Sequence, residues 1–240
     1  MSQDSGEAEA EQQATVVVTG GTGGIGAAVA REFADAGARV VVGSRDAEDV
    51  ATLVEDLQGS TAATGVRTDV RDEFDLERLM ETASTFGPRG IDVVVAAAGI
   101  YHGDPGETPT DEESYAAFDD TLRTNARGVF ATIREALPHL ASDGRVIVPT
   151  GSVASDAIPG FGAYAISKTA AEGVVRAFAA DVEQVVGCVD PGRVATDLAG
   201  GEGRDPDDVA PLFRWAATEA PAGELDGSVL DREDWQTATN

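Results

Sequence analysis

The sequence is poor in several residue types, and each shortage restricts what the protein can be. Cys188 is the only cysteine among 240 residues, so an internal disulfide and a cysteine-based metal cluster are both excluded. No stretch approaches the roughly 20 apolar residues that a membrane-spanning helix requires. Residues 1–14 are acidic and polar, whereas a signal peptide would be basic and then apolar. We therefore expect a cytoplasmic protein with no membrane partner and no metal.

Positive charge is also scarce, because 17 basic residues stand against 43 acidic ones and give a net charge of −26. Such a field repels nucleic acid and anionic membranes, so neither is expected as a partner. Only one of the basic residues, Lys168, is a lysine. This composition resembles that of cytoplasmic proteins from salt-accumulating organisms, in which concentrated cations screen the repulsion. An acidic interaction surface is the alternative, although the acids are spread along the whole chain.

Continuous apolar runs alternate with helical segments along the chain, after a leader at 1–14 that we expect to be disordered. Strands that are apolar throughout require cover on both faces, which favours a parallel sheet between two helical layers. We therefore predict one α/β domain over 15–240, a doubly wound Rossmann fold. The predicted strands are 15–20, 38–44, one ending near Thr68, 91–99, 144–150, 185–190 and a short final one at 228–230. The predicted helices are one ending at Gly37, 46–58, 72–86, a stretch within 111–140, 162–181 and 206–218.

A glycine-rich turn separates the first predicted strand from the first helix, with the sequence TGGTGGIG at 19–26. Gly20 would let the chain leave the strand sharply, Gly24 would let the backbone approach a pyrophosphate, and Gly26 would let helix and strand pack closely. The helix N-terminus would supply N–H donors and partial positive charge. A merely flexible turn is the alternative, but the strand before it and the helix after it favour a dinucleotide-binding loop. The predicted cofactor contacts here are Gly20, Thr22, Gly23, Gly24, Ile25 and Gly26.

The spacing Gly-x-x-x-Gly-x-Gly resembles that of the short-chain dehydrogenase/reductase family, and later motifs extend the resemblance. Tyr164 and Lys168 match the family's Tyr-x-x-x-Lys signature, and Ser152 lies twelve residues before the tyrosine. Asn125 lies in NARGVF, which is similar to the family's Asn-x-x-Gly-x-Phe. The segment VDPGRVAT at 189–196 resembles the family's Pro-Gly segment after the sixth strand.

The resemblance implies an oxidoreductase that moves a hydride between nicotinamide and a small carbonyl or secondary alcohol substrate. Tyr164 would be the general acid/base, because a neighbouring ammonium stabilises a phenolate whose pKa is ordinarily near 10. Lys168 would supply that charge from the same helix face and would bind the nicotinamide ribose. Ser152 would donate a hydrogen bond to the substrate carbonyl, and Asn125 would hold a water. A lysine kept where every other basic residue is arginine indicates a need for a compact charge.

The residues after the second predicted strand indicate which of NAD(H) and NADP(H) the protein prefers. Enzymes that prefer NAD place a carboxylate there for the ribose hydroxyls, whereas this chain has Ser44 and Arg45. A guanidinium pairs with the 2′-phosphate of NADP, so NADP(H) is predicted. If Asp46 neutralised Arg45 and bound the ribose, NAD(H) would be preferred instead. The further cofactor contacts predicted are Ser44, Arg45, Asp69, Val70, Ala98, Gly99, Tyr164, Lys168, Pro191, Gly192, Val194 and Thr196.

The sequence departs from the family pattern at two places, and two alternative functions remain open. The chain has Ala96 and Ala97 where the family reads Asn-Asn before Ala-Gly, which puts local rigidity in doubt, and 196–205 is short for a substrate lid. A short lid predicts an open site or one completed by a neighbouring subunit. A dinucleotide-sensing regulator without turnover is one alternative, and an epimerase with a C-terminal substrate domain, which we do not expect, is another. By resemblance a homodimer or homotetramer is expected, and His102 and His139 are interpreted as surface histidines.

Overall fold

The computed structural model describes residues 13–239, and within this part of the chain seven strands form one parallel sheet. Residues 1–12, most of the predicted leader, lie outside the described residues. The strand order is β3-β2-β1-β4-β5-β6-β7, which is the doubly wound arrangement predicted. The strands are β1 (Thr15–Thr19), β2 (Arg39–Ser44), β3 (Ala63–Arg67), β4 (Ile91–Ala96), β5 (Leu140–Pro149), β6 (Val185–Asp190) and β7 (Val229–Asp231).

Helices connect the strands and cover the sheet. They are α1 (Gly24–Asp35), α2 (Ala47–Leu57), α3 (Glu73–Phe86), α4 (Tyr115–Leu122), α5 (Gly128–Ala136), α6 (Gly162–Asp181), α7 (Pro206–Thr218), α8 (Ala222–Leu225) and α9 (Arg232–Thr239). A π-helical turn at Arg123–Arg127 joins α4 to α5. Among the helices of the described residues, none is both long enough and apolar enough to cross a membrane.

Most of the core lies in two apolar clusters, one on each face of the sheet. Because successive strand residues point to opposite faces, Val16 and Val18 of β1 enter one cluster while Val17 enters the other. Helices α1, α2 and α7 pack in the first cluster, and α3, α5 and α6 pack in the second. The apolar strands are therefore covered on both sides, as the sequence predicts.

β1 and β4 are parallel neighbours in the sheet, and at this point the order in which successive strands are added changes from one side of β1 to the other. In open α/β sheets, the crevice at the carboxyl ends of two such strands is where ligands bind. Gly20 leaves β1 at this point with φ +64°, and a Cβ there would lie 2.6 Å from Cα of Ala98, which follows β4. The two segments thus pass so closely that a glycine is required.

Several boundaries differ from the sequence-based prediction. Strand β5 begins at Leu140 rather than at residue 144, because Leu140 pairs with Ile91 before an irregularity in the β4–β5 register. The intervening residues 141–144 are mostly polar or small, so the apolar pattern does not reveal them. Strand β4 ends at Ala96 rather than at residue 99, and neither α8 nor α9 was predicted.

Candidate active site

Two cavities open at the carboxyl edge of the sheet and share one wall. The first has a volume of about 410 Å³ and is lined by the glycine-rich turn and the ends of β2, β3 and β4. The second has a volume of about 370 Å³ and lies beside the end of β5 and the segment after β6. The residues that line both are Ile25, Pro149, Tyr164, Lys168, Thr196 and Leu198. The tyrosine and the lysine of the predicted motif therefore stand where the two cavities meet.

The glycine-rich turn shapes the first cavity. Gly23 is the N-cap of α1 and offers no side-chain acceptor to the first turn, so the N–H groups there are available to an anion. Gly24 has φ +47°, and a Cβ on it would approach Cγ2 of Thr196 to 2.8 Å, while a Cβ on Gly26 would overlap the carbonyl of Gly20. This cradle of close backbone approaches at a helix N-terminus fits the diphosphate of a dinucleotide.

The end of β2 borders the same cavity through Ser44 and Arg45. The hydroxyl of Thr22 donates a 2.8 Å hydrogen bond to Oγ of Ser44. Asp46 is engaged as the N-cap of α2, where its Oδ1 accepts hydrogen bonds from the backbone N–H of Glu48 and of Asp49. The exposed Arg45 has no ion-pair partner among residues 13–239. Asp46 is therefore engaged with the backbone of α2 and not with Arg45, which disfavours the alternative of mutual neutralisation. The charge of Arg45 contributes instead, after the hydrogen bond from Arg71, to the lowered pKa of Asp69.

Asp69 and Val70 line the cavity after β3 together with Arg71, a residue that the sequence did not single out. Nη2 of Arg71 donates to Oδ2 of Asp69 at 2.7 Å, and its Nη1 donates to Oδ1 of Asp120 at 2.9 Å. The hydrogen bond from Arg71 is the main cause of the lowered pKa of Asp69. Because Asp120 lies 49 residues further along the chain, no local pattern could have revealed this pairing.

Helix α6 carries the predicted tyrosine and lysine at i and i+4, so both face the cavities. Nζ of Lys168 lies 5.6 Å from the centroid of the Tyr164 ring. The same ammonium donates a 2.9 Å hydrogen bond to the carbonyl of Pro149, at the end of β5. Ser152 follows in a short 3₁₀ turn and lines the second cavity. The hydroxyl groups of Ser152 and Tyr164 have no hydrogen-bond partner among the described residues, so both are available to a substrate.

The start of α6 is held by a residue from another part of the chain. The N-cap residue Phe161 gives no side-chain hydrogen bond. Instead, Oε2 of Glu113, which lies in the loop before α4, accepts a 2.9 Å hydrogen bond from the backbone N–H of Ala163. Tyr164 is the next residue, so this carboxylate caps the first turn of the helix that carries it.

Asn125 is buried in the π-helical turn and lines neither cavity. Its Oδ1 accepts a hydrogen bond from the N–H of Ile100, and its Nδ2 donates to the carbonyl of Ile100 and to the hydroxyl of Ser167. The amide thus joins the segment after β4 to α6. The contact between Asn125 and a water stays a prediction.

Of the predicted cofactor contacts after β6, Pro191, Gly192 and Val194 line the second cavity and not the first, whereas Thr196 lines both. Two backbone hydrogen bonds fold the segment after β6 back on itself. The N–H of Ala195 donates to the carbonyl of Arg204 at 2.7 Å, and the N–H of Arg204 donates to the carbonyl of Arg193 at 3.0 Å. The short segment is therefore a compact loop whose Leu198 side chain reaches both cavities. No group of three potential metal ligands occurs in the described residues.

Ala98 and Gly99 line the first cavity, as predicted. Near the alanine pair, the hydroxyl of Thr19 is buried and has no hydrogen-bond partner among the described residues. Thr19 pairs in register with Ala96, so the orphaned hydroxyl lies beside the strand end where the family has asparagines. The further residues of this cavity that the sequence did not predict as cofactor contacts are Thr68, Ala97, Ile100, Thr124, Pro149, Asp197 and Leu198.

Comparison with known proteins agrees with this architecture. A family model described as short chain dehydrogenase matches residues 14–207. The NADPH-dependent aldehyde reductase-like protein of Arabidopsis thaliana is 32% identical over 225 residues, covering 87% of this chain and 81% of that protein. L-fucose dehydrogenase of Mus musculus is 38% identical over 188 residues, covering 76% of this chain and 66% of that protein.

Among solved structures, the alcohol dehydrogenase from the archaeon Thermococcus sibiricus, complexed with 5-hydroxy-NADP, is similar. It is 26% identical with a TM-score of 0.81, and the match covers 92% of this chain and 96% of that one.

Proposed function

The chain belongs to the short-chain dehydrogenase family, and we propose that it transfers a hydride between NADP(H) and a carbonyl or secondary alcohol. The observation that carries the proposal is the position of Tyr164 and Lys168, which line both cavities at their junction. A dinucleotide in the first cavity and a substrate in the second would meet at these two side chains. As an oxidoreductase of this family, the protein uses a nicotinamide dinucleotide to supply or accept the hydride.

The chain's own residues would manage the proton and the developing charge. In the reductive direction, the hydroxyl of Tyr164 would donate its proton to the substrate oxygen as that oxygen gains negative charge. The hydroxyl of Ser152 would donate a hydrogen bond to the same oxygen, since both groups are free. Lys168, fixed by the carbonyl of Pro149, would stabilise the phenolate left behind. In the oxidative direction, the phenolate would accept the proton from the alcohol.

The exposed guanidinium of Arg45 supports a preference for NADP(H) over NAD(H). Two similar proteins agree with this preference, since one is named NADPH-dependent and the other was solved with 5-hydroxy-NADP. Hydrogen bonds to charged groups contribute about 1.5–3 kcal/mol, so Arg45→Ala should weaken NADPH binding by about ten- to a hundredfold and hardly change NADH binding. Fluorescence titration of both cofactors measures this change.

Arg134→Ala is the matched control, because this exposed arginine of α5 lines neither cavity. Equal losses for NADH and NADPH in Arg45→Ala, or a preference for NADH in the unaltered protein, would contradict the role given to Arg45. The hydride-transfer proposal would survive that result with NAD(H) as the cofactor.

The activity itself is tested by following NADPH absorbance with a panel of ketones and aldehydes, and NADP reduction with alcohols, in high salt. We expect turnover of at least one carbonyl compound. Cofactor binding without turnover across the whole panel would favour the alternative of a dinucleotide-sensing regulator.

The cytoplasmic location and the homodimer or homotetramer stay predictions. Sedimentation in molar potassium chloride tests the oligomer.

A further inference from the structure

The second cavity has walls of a distinct chemical character. Its volume of about 370 Å³ lies within the range of small-molecule sites. Ser152 and Tyr164 line it with hydroxyl groups that have no hydrogen-bond partner among the described residues, and Tyr164 stands at the junction with the first cavity. The apolar side chains that wall it are Tyr101, Pro105, Val153, Ile158, Phe161 and Leu198. A ligand would therefore meet polar groups at its reacting end and apolar surface elsewhere.

Tyr101 presents its ring to this cavity, because its hydroxyl is held elsewhere. The hydroxyl lies 2.6 Å from Oγ1 of Thr108 and 3.0 Å from the carbonyl of Gly160. The ring centroid lies 5.0 Å from that of Tyr164, and the ring stacks on Phe161 at 6.2 Å with an interplanar angle of 18°. Tyr101 is thus a fixed aromatic wall in direct contact with the proposed general acid/base.

Each of the remaining polar side chains of this cavity has a partner among the described residues. The ammonium of Lys168 donates a hydrogen bond to the carbonyl of Pro149 and lies at the junction with the first cavity, whereas Arg193 pairs with Glu202 at 2.8 Å. The hydroxyl of Thr150 donates to Glu172, and the hydroxyl of Thr196 accepts from the N–H of Ala199. A carboxylate remote from the reacting carbonyl would lose water without gaining an unpaired cation, because Arg193 is paired with Glu202 and Lys168 stands at the junction beside Tyr164. A sugar would find few side-chain partners for its hydroxyls besides Ser152 and Tyr164.

From these observations, and resting on the proposed function, we infer that the substrate is an uncharged ketone or aldehyde that carries an apolar ring. We infer further that Tyr101 selects for that ring. The net charge of −26 acts in the same direction, since it repels anionic substrates.

Matched substrates test the chemical class. The ratio kcat/KM is measured at saturating NADPH for methyl 4-acetylbenzoate and for 4-acetylbenzoate, which differ in a charge remote from the carbonyl, and L-fucose is tested with NADP. We expect the neutral ester to exceed the carboxylate by about tenfold or more and L-fucose to give no turnover. Better turnover of the carboxylate or of the sugar would overturn this inference while supporting hydride transfer. Absence of turnover with every compound and both cofactors would remove both proposals.

Variants of Tyr101 test its part in selecting the ring. The readout is the ratio of kcat/KM for 2-tetralone to that for 2-butanone, which cancels any general loss of activity. Tyr101→Phe keeps the ring and should keep this ratio, whereas Tyr101→Ala should lower it by about ten- to a hundredfold. Tyr101→Leu keeps apolar bulk without the ring and should lower the ratio as well. It therefore gives a second reading if the alanine variant fails to fold. An unchanged ratio in either ring-less variant, with NADPH affinity intact, would overturn the role of Tyr101.

Discussion

The carboxylate that caps α6 offers a quantitative test of how the fold positions the site. Removing Glu113 leaves the N–H of Ala163 without its 2.9 Å acceptor, and Phe161 supplies no substitute. Loss of an N-cap acceptor costs about 0.5–2 kcal/mol, and the lost charge at the helix N-terminus adds about 0.3–1 kcal/mol. We therefore expect Glu113→Ala to lower the free energy of unfolding by about 1–3 kcal/mol. In a chain of this size, that loss lowers Tm by about 2–12 °C.

Catalysis should respond as well, because Tyr164 lies in the turn that Glu113 caps. A small displacement of a reacting group is costly, so kcat should fall by about tenfold while the Kd for NADPH changes little. Glu113→Gln keeps an acceptor oxygen but not the charge, and it should recover most of both losses. Both properties are measured at one fixed salt concentration, since screening weakens the charge effect.

Glu112→Ala is the control, because Glu112 is exposed and its side chain has no partner among the described residues. It should leave Tm and kcat unchanged. If Glu113→Ala and Glu112→Ala gave the same Tm, or if Glu113→Gln were as damaged as Glu113→Ala, the capping role would be refuted.

Two further predictions concern the whole molecule. Burial raises the pKa of the Cys188 thiol to about 12, so the thiol stays protonated near neutral pH and should resist maleimide until the protein unfolds; rapid labelling of the native protein would contradict its burial. Because salt screens the repulsion implied by a net charge of −26, Tm should rise between dilute buffer and molar potassium chloride. A flat or falling Tm would contradict the halophilic interpretation and leave the enzymatic proposal standing.

The sequence predicts well the features that depend on residues close together along the chain. The nearly continuous apolar run at Thr15–Thr19 predicts a buried strand. The glycine spacing after it reflects close backbone approaches that only glycine tolerates. Tyr164 and Lys168 share a helix face because their spacing matches one helical turn. The parallel sheet then follows from the alternation of apolar strands and helices.

The features that it does not predict depend on contacts between distant parts of the chain. Glu113 reaches Ala163 across 50 residues, and Arg71 reaches Asp120 across 49. The π-helical turn at Arg123–Arg127 interrupts a segment whose apolar pattern indicates only helix. Tyr101 belongs to a loop without periodicity, so its place in the cavity wall appears only once the loop is folded against Gly160.

The central claim is that Tyr164 exchanges the proton during hydride transfer, and one measurement tests it most directly. Tyr164→Phe removes only the hydroxyl, and Tyr115→Phe, at a tyrosine that is 90% exposed, is the matched control. For a ketone that the unaltered protein reduces, kcat and the Kd for NADPH are measured in all three proteins. We expect kcat of Tyr164→Phe to fall by about 10² or more with the Kd nearly unchanged, and Tyr115→Phe to match the unaltered protein. Retained turnover in Tyr164→Phe would contradict the account.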